Sequence, residues 1–267
     1  MSLEDVIDEA ADLGAAHLQM NTATLAHARS PLARDVRARC EDRSLVIRLT
    51  GSPIGSDNHR GDIAAAVAGL EADLALAYQL GSGSLMVYSG VYRPDLLATP
   101  ERMVDETTFL RSVLGRATGV ASDLGVRVEV ENASDFKSRE LLELVHSLPE
   151  GSVGTFLDLT NPYNVLEDPI QAVERLAPTS SAGHVKDFAL ESIYTDDRYH
   201  RLGVSLRFKL PGEGASDVRG AIHALRRSLA GRTFHLAIEG LDTDPRSPVM
   251  KPRLEASLAF LRRCLDG

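Results

Sequence analysis

The chain has 267 residues, 43% of them hydrophobic and 25% charged, with a net charge of -9. That length suits one large domain with an ordinary apolar core, and the acidic balance argues against non-specific nucleic-acid binding. The two cysteines, Cys40 and Cys264, form no CxxC pair, and no run of eighteen apolar residues occurs; a disulfide framework and a membrane span are therefore not expected, and with an acidic start, SLEDVIDEAADLG, in place of a leader, the expected location is cytoplasmic.

Leu3, Val6, Ile7, Ala10 and Ala11 recur at helical spacing, and AAHLQM then reads as a strand near 15–20. SLVIRLTG (44–51) is a strand stopping at Gly51, GDIAAAVAGLEADLALAYQLG (61–81) a long helix, and SLMVYSG (84–90) the next strand. A helix is predicted over 104–124, followed by strand 126–132, helix 139–148, strand 152–159, helix 168–177 and strand 181–188. After an irregular passage, 189–215, come helix 216–230, strand 233–240 and helix 252–265. Alternation of this kind calls for a parallel sheet with crossover helices, and no composition shift divides it, so one domain over 1–267 is expected. Seven barrel strands are countable, and the chain opens on a helix. The predicted fold is therefore an α/β, (β/α)8-type TIM barrel lacking its first β-strand. LGVSLRFKL (202–210) lies inside a βα connection and is predicted to form a short hairpin within a mobile lid over 189–215.

Residues two apart on a strand share a face. Glu129 and Glu131 therefore point one way in VEVEN, Phe156 and Asp158 in FLDLTN, His184 and Lys186 in GHVKD, and His235 and Glu239 in FHLAIEG. In a parallel barrel this mixed polar face is the interior and its upper rim. Four apolar strands ending in Glu131, Asp158, His184 and Glu239 thus present three carboxylates and an imidazole to one place. Such a donor set suits a hard or borderline dication with open positions for substrate oxygens. Taken singly, each residue has an ordinary structural reading: a strand-end carboxylate as a cap or surface charge, Asp158 as the cap of the following turn, His184 as a hydrogen-bonded interior histidine.

Glu131 followed by Asn132, Asp158 in LDLTN, His184 in HVKD and Glu239 in AIEG, with the Gly-rich PGEGASD (211–217) ahead of the last helix–strand unit, resemble the xylose isomerase-like barrels. Within that superfamily they are similar to the sugar phosphate isomerase/epimerase group. The resemblance implies that these four residues ligate Mn2+, Mg2+ or Co2+, sometimes Zn2+, and that the protein forms homodimers or tetramers. One departure is Asn161, standing three residues after Asp158 where many epimerases have a substrate-contacting histidine.

Such a metal polarises a carbonyl and an adjacent hydroxyl and stabilises an enediolate, so Glu131 and Glu239 are the predicted acid/base pair. Gln19, Asn161, Lys186, Arg207 and Lys209 are the predicted substrate contacts. The two cationic positions on the 202–210 segment lean toward an acidic substrate. The expected partner is a small sugar or sugar acid, with neither nucleic acid nor membrane. A lyase on the same scaffold, acting as a dehydratase or a decarboxylase of a keto-sugar acid, needs the same site. A DNA-repair endonuclease is disfavoured because the early strand ends read LQMN, RLTG and VYSG, without the extra histidines a trinuclear zinc cluster requires. A non-catalytic relative is the remaining alternative. No Walker loop, GxGxxG, GxSxG or HExxH occurs.

Overall fold

A computed structural model describes residues 2–26, 31–193, 203–240, 247 and 249–266. The elements run α1 (Leu3–Asp12), β1 (His17–Asn21), α2 (Thr22–Ala26), α3 (Pro31–Asp42), β2 (Val46–Thr50), α4 (Ile63–Gln79), β3 (Ser84–Val87), α5 (Arg93–Leu96) and α6 (Pro100–Leu124). They continue with β4 (Arg127–Glu131), α7 (Ser138–His146), β5 (Val153–Asp158), α8 (Pro169–Leu176), β6 (Ser180–Val185), β7 (Asp187–Ile193), β8 (Gly203–Lys209), α9 (Val218–Leu229), β9 (His235–Ile238) and α10 (Met250–Asp266). Seven strands pair in parallel in the order β1-β2-β3-β4-β5-β6-β9, while β7 and β8 form a separate antiparallel hairpin. The result is a nearly closed α/β barrel wrapped by helices, and among the described residues no ladder joins β1 to β9.

Strand alternation divides the core into two layers. Outward-facing Ile47, Leu49, Leu85, Val87, Val128, Val130 and Leu157 pack under the helices, each fully buried side chain contributing about 1.5–3 kcal/mol. Inward-facing Met86, Phe156 and Ala182 form a small apolar plug inside the barrel, with Tyr88 packed against it. On the helical side α4 buries Ala66, Leu70, Leu74 and Ala77, a stripe at helical spacing, while α6 buries Leu110, Val113, Leu114, Ala117 and Ala121. Local signals set the helix ends. Ser2 and Asp5 close a capping box on α1, Asp62 caps α4, and Gly125, at φ 64°, lets the chain leave α6 in a left-handed turn.

The structure differs from the sequence reading in several places. The polar run PLARDVRARCED is a helix, α3, although among its described side chains only Val36 and Cys40, four apart, are buried. So narrow an apolar stripe leaves little periodic signal. Helix α6 begins at Pro100 rather than 104, its proline sitting at the first turn where a missing N–H costs nothing. The strand predicted over 181–188 breaks after Val185, and from Asp187 the chain belongs to the hairpin. Hairpin formation over 203–209 agrees with the sequence reading. Residues 194–202, the middle of the predicted lid, lie outside the described residues. No helix among the described residues is long and apolar enough to cross a membrane.

Candidate active site

Parallel pairing in register brings the ends of β4, β5, β6 and β9 to one rim: Glu131 pairs with Phe156, Asp158 with His184, and His184 with Ala237, two residues before Glu239. His184 is the hub. Its Nδ1 lies 3.0 Å from Glu131 Oε1, 3.8 Å from Glu239 Oε1 and 4.0 Å from Asp158 Oδ2. Donor atoms of Glu131, Asp158 and His184 all fall within 4.8 Å of one another, and all three residues are buried. The Phe156 ring, edge-on to the imidazole at 4.7 Å, forms the floor.

Asp158 does two jobs. Its Oδ1 accepts the backbone N–H groups of Thr160 and Asn161, each at 2.7 Å, which starts the 3-10 turn at 161–165. Its Oδ2 points inward. The capping role and the inward-facing role therefore coexist on one carboxylate. Asn132 locks the neighbouring strand end, accepting Asp158 N–H at 2.7 Å and donating to the Asp158 carbonyl at 3.0 Å. Buried side chains at a strand end keep one orientation when such bonds saturate their backbone.

The centre carries more negative than positive charge. Burial alone would lower the pKa of His184, but the hydrogen bond and charge of Glu131, with the charges of Glu239 and Asp158, raise it above the ordinary imidazole value. Burial raises the Glu239 carboxyl despite the nearby Lys186 and His184. The Lys186 ammonium is bonded to both Asp158 Oδ2 and Glu239 Oε2 and is buried. Burial disfavours its charge, yet the surrounding carboxylates hold its pKa above the usual lysine value. Next in sequence, Asp187 accepts the N–H groups of Phe188, Gly212, Gly214 and Ser216 and the Ser216 hydroxyl. This one carboxylate shapes the Gly-rich turn, and at Gly214 a Cβ would collide with it. The three polar residues of HVKD thus join a central charge cluster, offset part of its negative charge, and anchor the turn beside it.

A cavity of about 940 Å3 opens above the cluster, and Gln19, Asn161 and Lys186 line it together with Glu131, His184 and Glu239. Gln19 donates to Thr50 Oγ1 at 2.8 Å, and its Oε1 is buried without a partner. Arg207 and Lys209 do not line the cavity. Arg207 instead pairs with Glu191 across the hairpin at 2.8 Å, and Phe208 between them faces the pocket. Strand parity explains this: residues 207 and 209 share the face opposite 208. The lean toward an acidic substrate, which rested on those two cations, loses its support.

Residues that the sequence reading passed over also line the pocket. Met86 and Tyr88 were legible in SLMVYSG by parity, whereas Asn58 and Asp135 arrive from loops that carry no periodic signal. Asp135 is buried; its Oδ1 accepts the Phe136 N–H at 2.6 Å and its Oδ2 has no partner. Burial, reinforced by the charge of Glu131, pushes its pKa from 3.8 up to about 7. His59 bonds the Pro53 carbonyl at 3.1 Å and braces its own loop. One layer below the cluster, Glu129 accepts from Ser181 at 2.6 Å with Arg48 3.6 Å away, and His235 stacks edge-on with His17 at 5.2 Å.

These features define a barrel protein with a carboxylate–imidazole centre at the C-terminal ends of its strands, where βα-barrel sites lie. The chain belongs to the xylose isomerase-like TIM barrel family, whose model matches residues 7–264. It is similar to an uncharacterised Escherichia coli K12 protein, YihM, at 27% identity over 131 residues, a match covering 49% of this chain and 38% of that protein's length. A D-psicose 3-epimerase solved in the presence of D-fructose shares the fold with a TM-score of 0.76 at 16% identity, covering 100% of this chain and 95% of that one. The IolI protein, solved with a bound zinc atom, has a TM-score of 0.71 at 15% identity over 99% of this chain and 92% of its own.

Proposed function

We propose that this chain is a divalent-metal-dependent isomerase or epimerase of a small sugar or sugar phosphate, with Glu131, Asp158, His184 and Glu239 as ligands and Glu131 and Glu239 as the acid/base pair. The observation that carries the reading is the approach of three carboxylates from three strand ends to within 4.0 Å of one imidazole nitrogen. The donor set fits the ion: oxygen-rich with one nitrogen, as Mn2+, Mg2+, Co2+ or Zn2+ accept, and anchored by Asn132 and by the turn N–H groups on Asp158. A bound dication would supply Lewis acidity toward a carbonyl and its neighbouring hydroxyl.

The chain's own residues do the rest. Glu131 on β4 and Glu239 beyond β9 flank His184 from either side, so one carboxylate can take a proton from the substrate carbon while the other returns one. Burial raises the Glu239 carboxyl above the ordinary glutamate value, which favours its holding a proton. Gln19 and Asn161 offer amide groups to sugar hydroxyls from the cavity wall. Phe208 and Tyr92 add aromatic surface to the same wall.

The test is incubation of chelator-stripped and Mn2+-reconstituted protein with ketoses, sugar phosphates and keto-sugar acids in deuterated water. Metal-dependent incorporation of one solvent deuterium on carbon, with the mass otherwise unchanged, is the expected result. Loss of water or carbon dioxide would make the protein a lyase on the same centre. Turnover that is indifferent to chelator and metal would overturn the reading.

A further inference from the structure

Lys186 is buried among the carboxylates of the centre. Its ammonium does not reach into the cavity as a free donor but sits inside the ring of carboxylates, bonded to Asp158 Oδ2 and Glu239 Oε2. Those are two of the oxygens that a metal at the centre would take. Asp158 has no substitute to offer, because its Oδ1 is already committed to the N–H groups of Thr160 and Asn161. A dication bound to Oδ2 would lie within a few ångströms of a buried ammonium, where repulsion is poorly screened. The two cations therefore compete for one place. The Lys186 backbone is itself pinned, its carbonyl accepting the Thr160 hydroxyl at 2.8 Å, so only the side chain can yield. The ammonium already lies over the Phe208 ring on β8, Nζ standing 5.3 Å from its centroid, so an aromatic face is there to hold it when the carboxylates let go.

We propose that Lys186 is a built-in competitor for the metal: its ammonium fills the centre in the metal-free protein and must swing off Asp158 and Glu239, toward Phe208, when a dication binds. The inference rests on the metal reading above and adds to it a residue that sets metal affinity. The internal cation holds the carboxylates together without metal and weakens every metal by the same displacement step. Because the landing site belongs to the hairpin, metal occupancy is transmitted to β7 and β8.

The experiment is calorimetric titration of Mn2+ into chelator-stripped wild type, Lys186→Met and Lys186→Arg, with circular dichroism to confirm folding. Breaking two charge-assisted hydrogen bonds predicts Mn2+ binding on the order of tenfold to a hundredfold tighter in Lys186→Met, with Lys186→Arg remaining weak. The metal-free Lys186→Met protein should also melt lower than wild type and gain more from Mn2+. Should Lys186→Met fail to fold, wild-type protein labelled with 15N at Nζ provides the same answer, since the chain has four lysines. Zn2+ should shift the one slowly exchanging ammonium resonance and remove its protection. Equal or weaker Mn2+ binding by Lys186→Met, or an ammonium signal untouched by Zn2+ that does bind, overturns this inference and leaves the metal centre standing. No binding of either ion by any of the proteins overturns both.

Discussion

Replacing Asp135 by Asn isolates one buried charge. The folded carboxyl keeps its proton up to about pH 7, against an ordinary value of 3.8, so between these values the folded state binds more protons than the unfolded chain. Stability must then fall as pH rises through this window and level off above it. From pH 5 to pH 8 that single group costs about 2–3 kcal/mol, at 1.36 kcal/mol per pKa unit. Asparagine retains the oxygen that accepts the Phe136 N–H and removes the titration. Urea unfolding of chelator-stripped wild type and Asp135→Asn at pH 5 and pH 8 measures the effect. The other ionisable groups are common to both proteins, so the difference between the two pH slopes reports Asp135. Wild type should lose about 2–3 kcal/mol more than the variant over that interval. Parallel slopes would mean that Asp135 is ionised at both pH values and is not a buried, proton-holding group.

Glu131→Gln and Glu239→Gln, near-isosteric and still able to accept a hydrogen bond, should each reduce turnover by roughly two to four orders of magnitude with little change in melting temperature; full activity in either variant removes that residue from the proton transfer. Asp187→Ala strands the N–H groups of Gly212, Gly214 and Ser216, which should cost about 3 kcal/mol or more and speed amide exchange at those three positions specifically, as hydrogen-exchange mass spectrometry would read. Gly183→Ala should be among the most damaging small substitutions, by roughly 3 kcal/mol in denaturant unfolding, because its Cβ would overlap the Leu157 carbonyl oxygen of the adjoining strand and no side chain can give way.

The barrel was readable because its strands are buried on the helix side and polar within. A two-residue period thus survived in VEVEN and GHVKD, and the four inward groups could be named. What escaped depends on contacts between distant segments. Arg207 and Lys209 were visible as cations, but their outward orientation follows from the register of β7 against β8, where Ala189 opposes Arg207 and Asp187 opposes Lys209. Lys186 shares a face with His184 by parity alone. That its charge is spent on Asp158 and Glu239 requires β5 and the β9 end to be in place. Asp135 gives no sign in ENASDFK of its burial, since a loop aspartate reads as solvated.

The unlatched join between β1 and β9 bears on how the pocket keeps its width. Gln19 and Asn21 stand on one side of this join and Ile238 and Glu239 on the other, so the cavity wall passes across a junction where, among the described residues, no strand ladder runs. Behind it, the apolar side chains of Leu13, Leu18, Leu225, Phe234, Leu236 and Leu258 line a hollow of about 710 Å3. Spacing there is held by side-chain fit, which yields under smaller forces than a hydrogen-bonded ladder does. Any widening of the pocket would therefore come from parting the two sides of this join, while the Glu131, Asp158 and His184 cluster, laddered from β4 through β6, holds its shape.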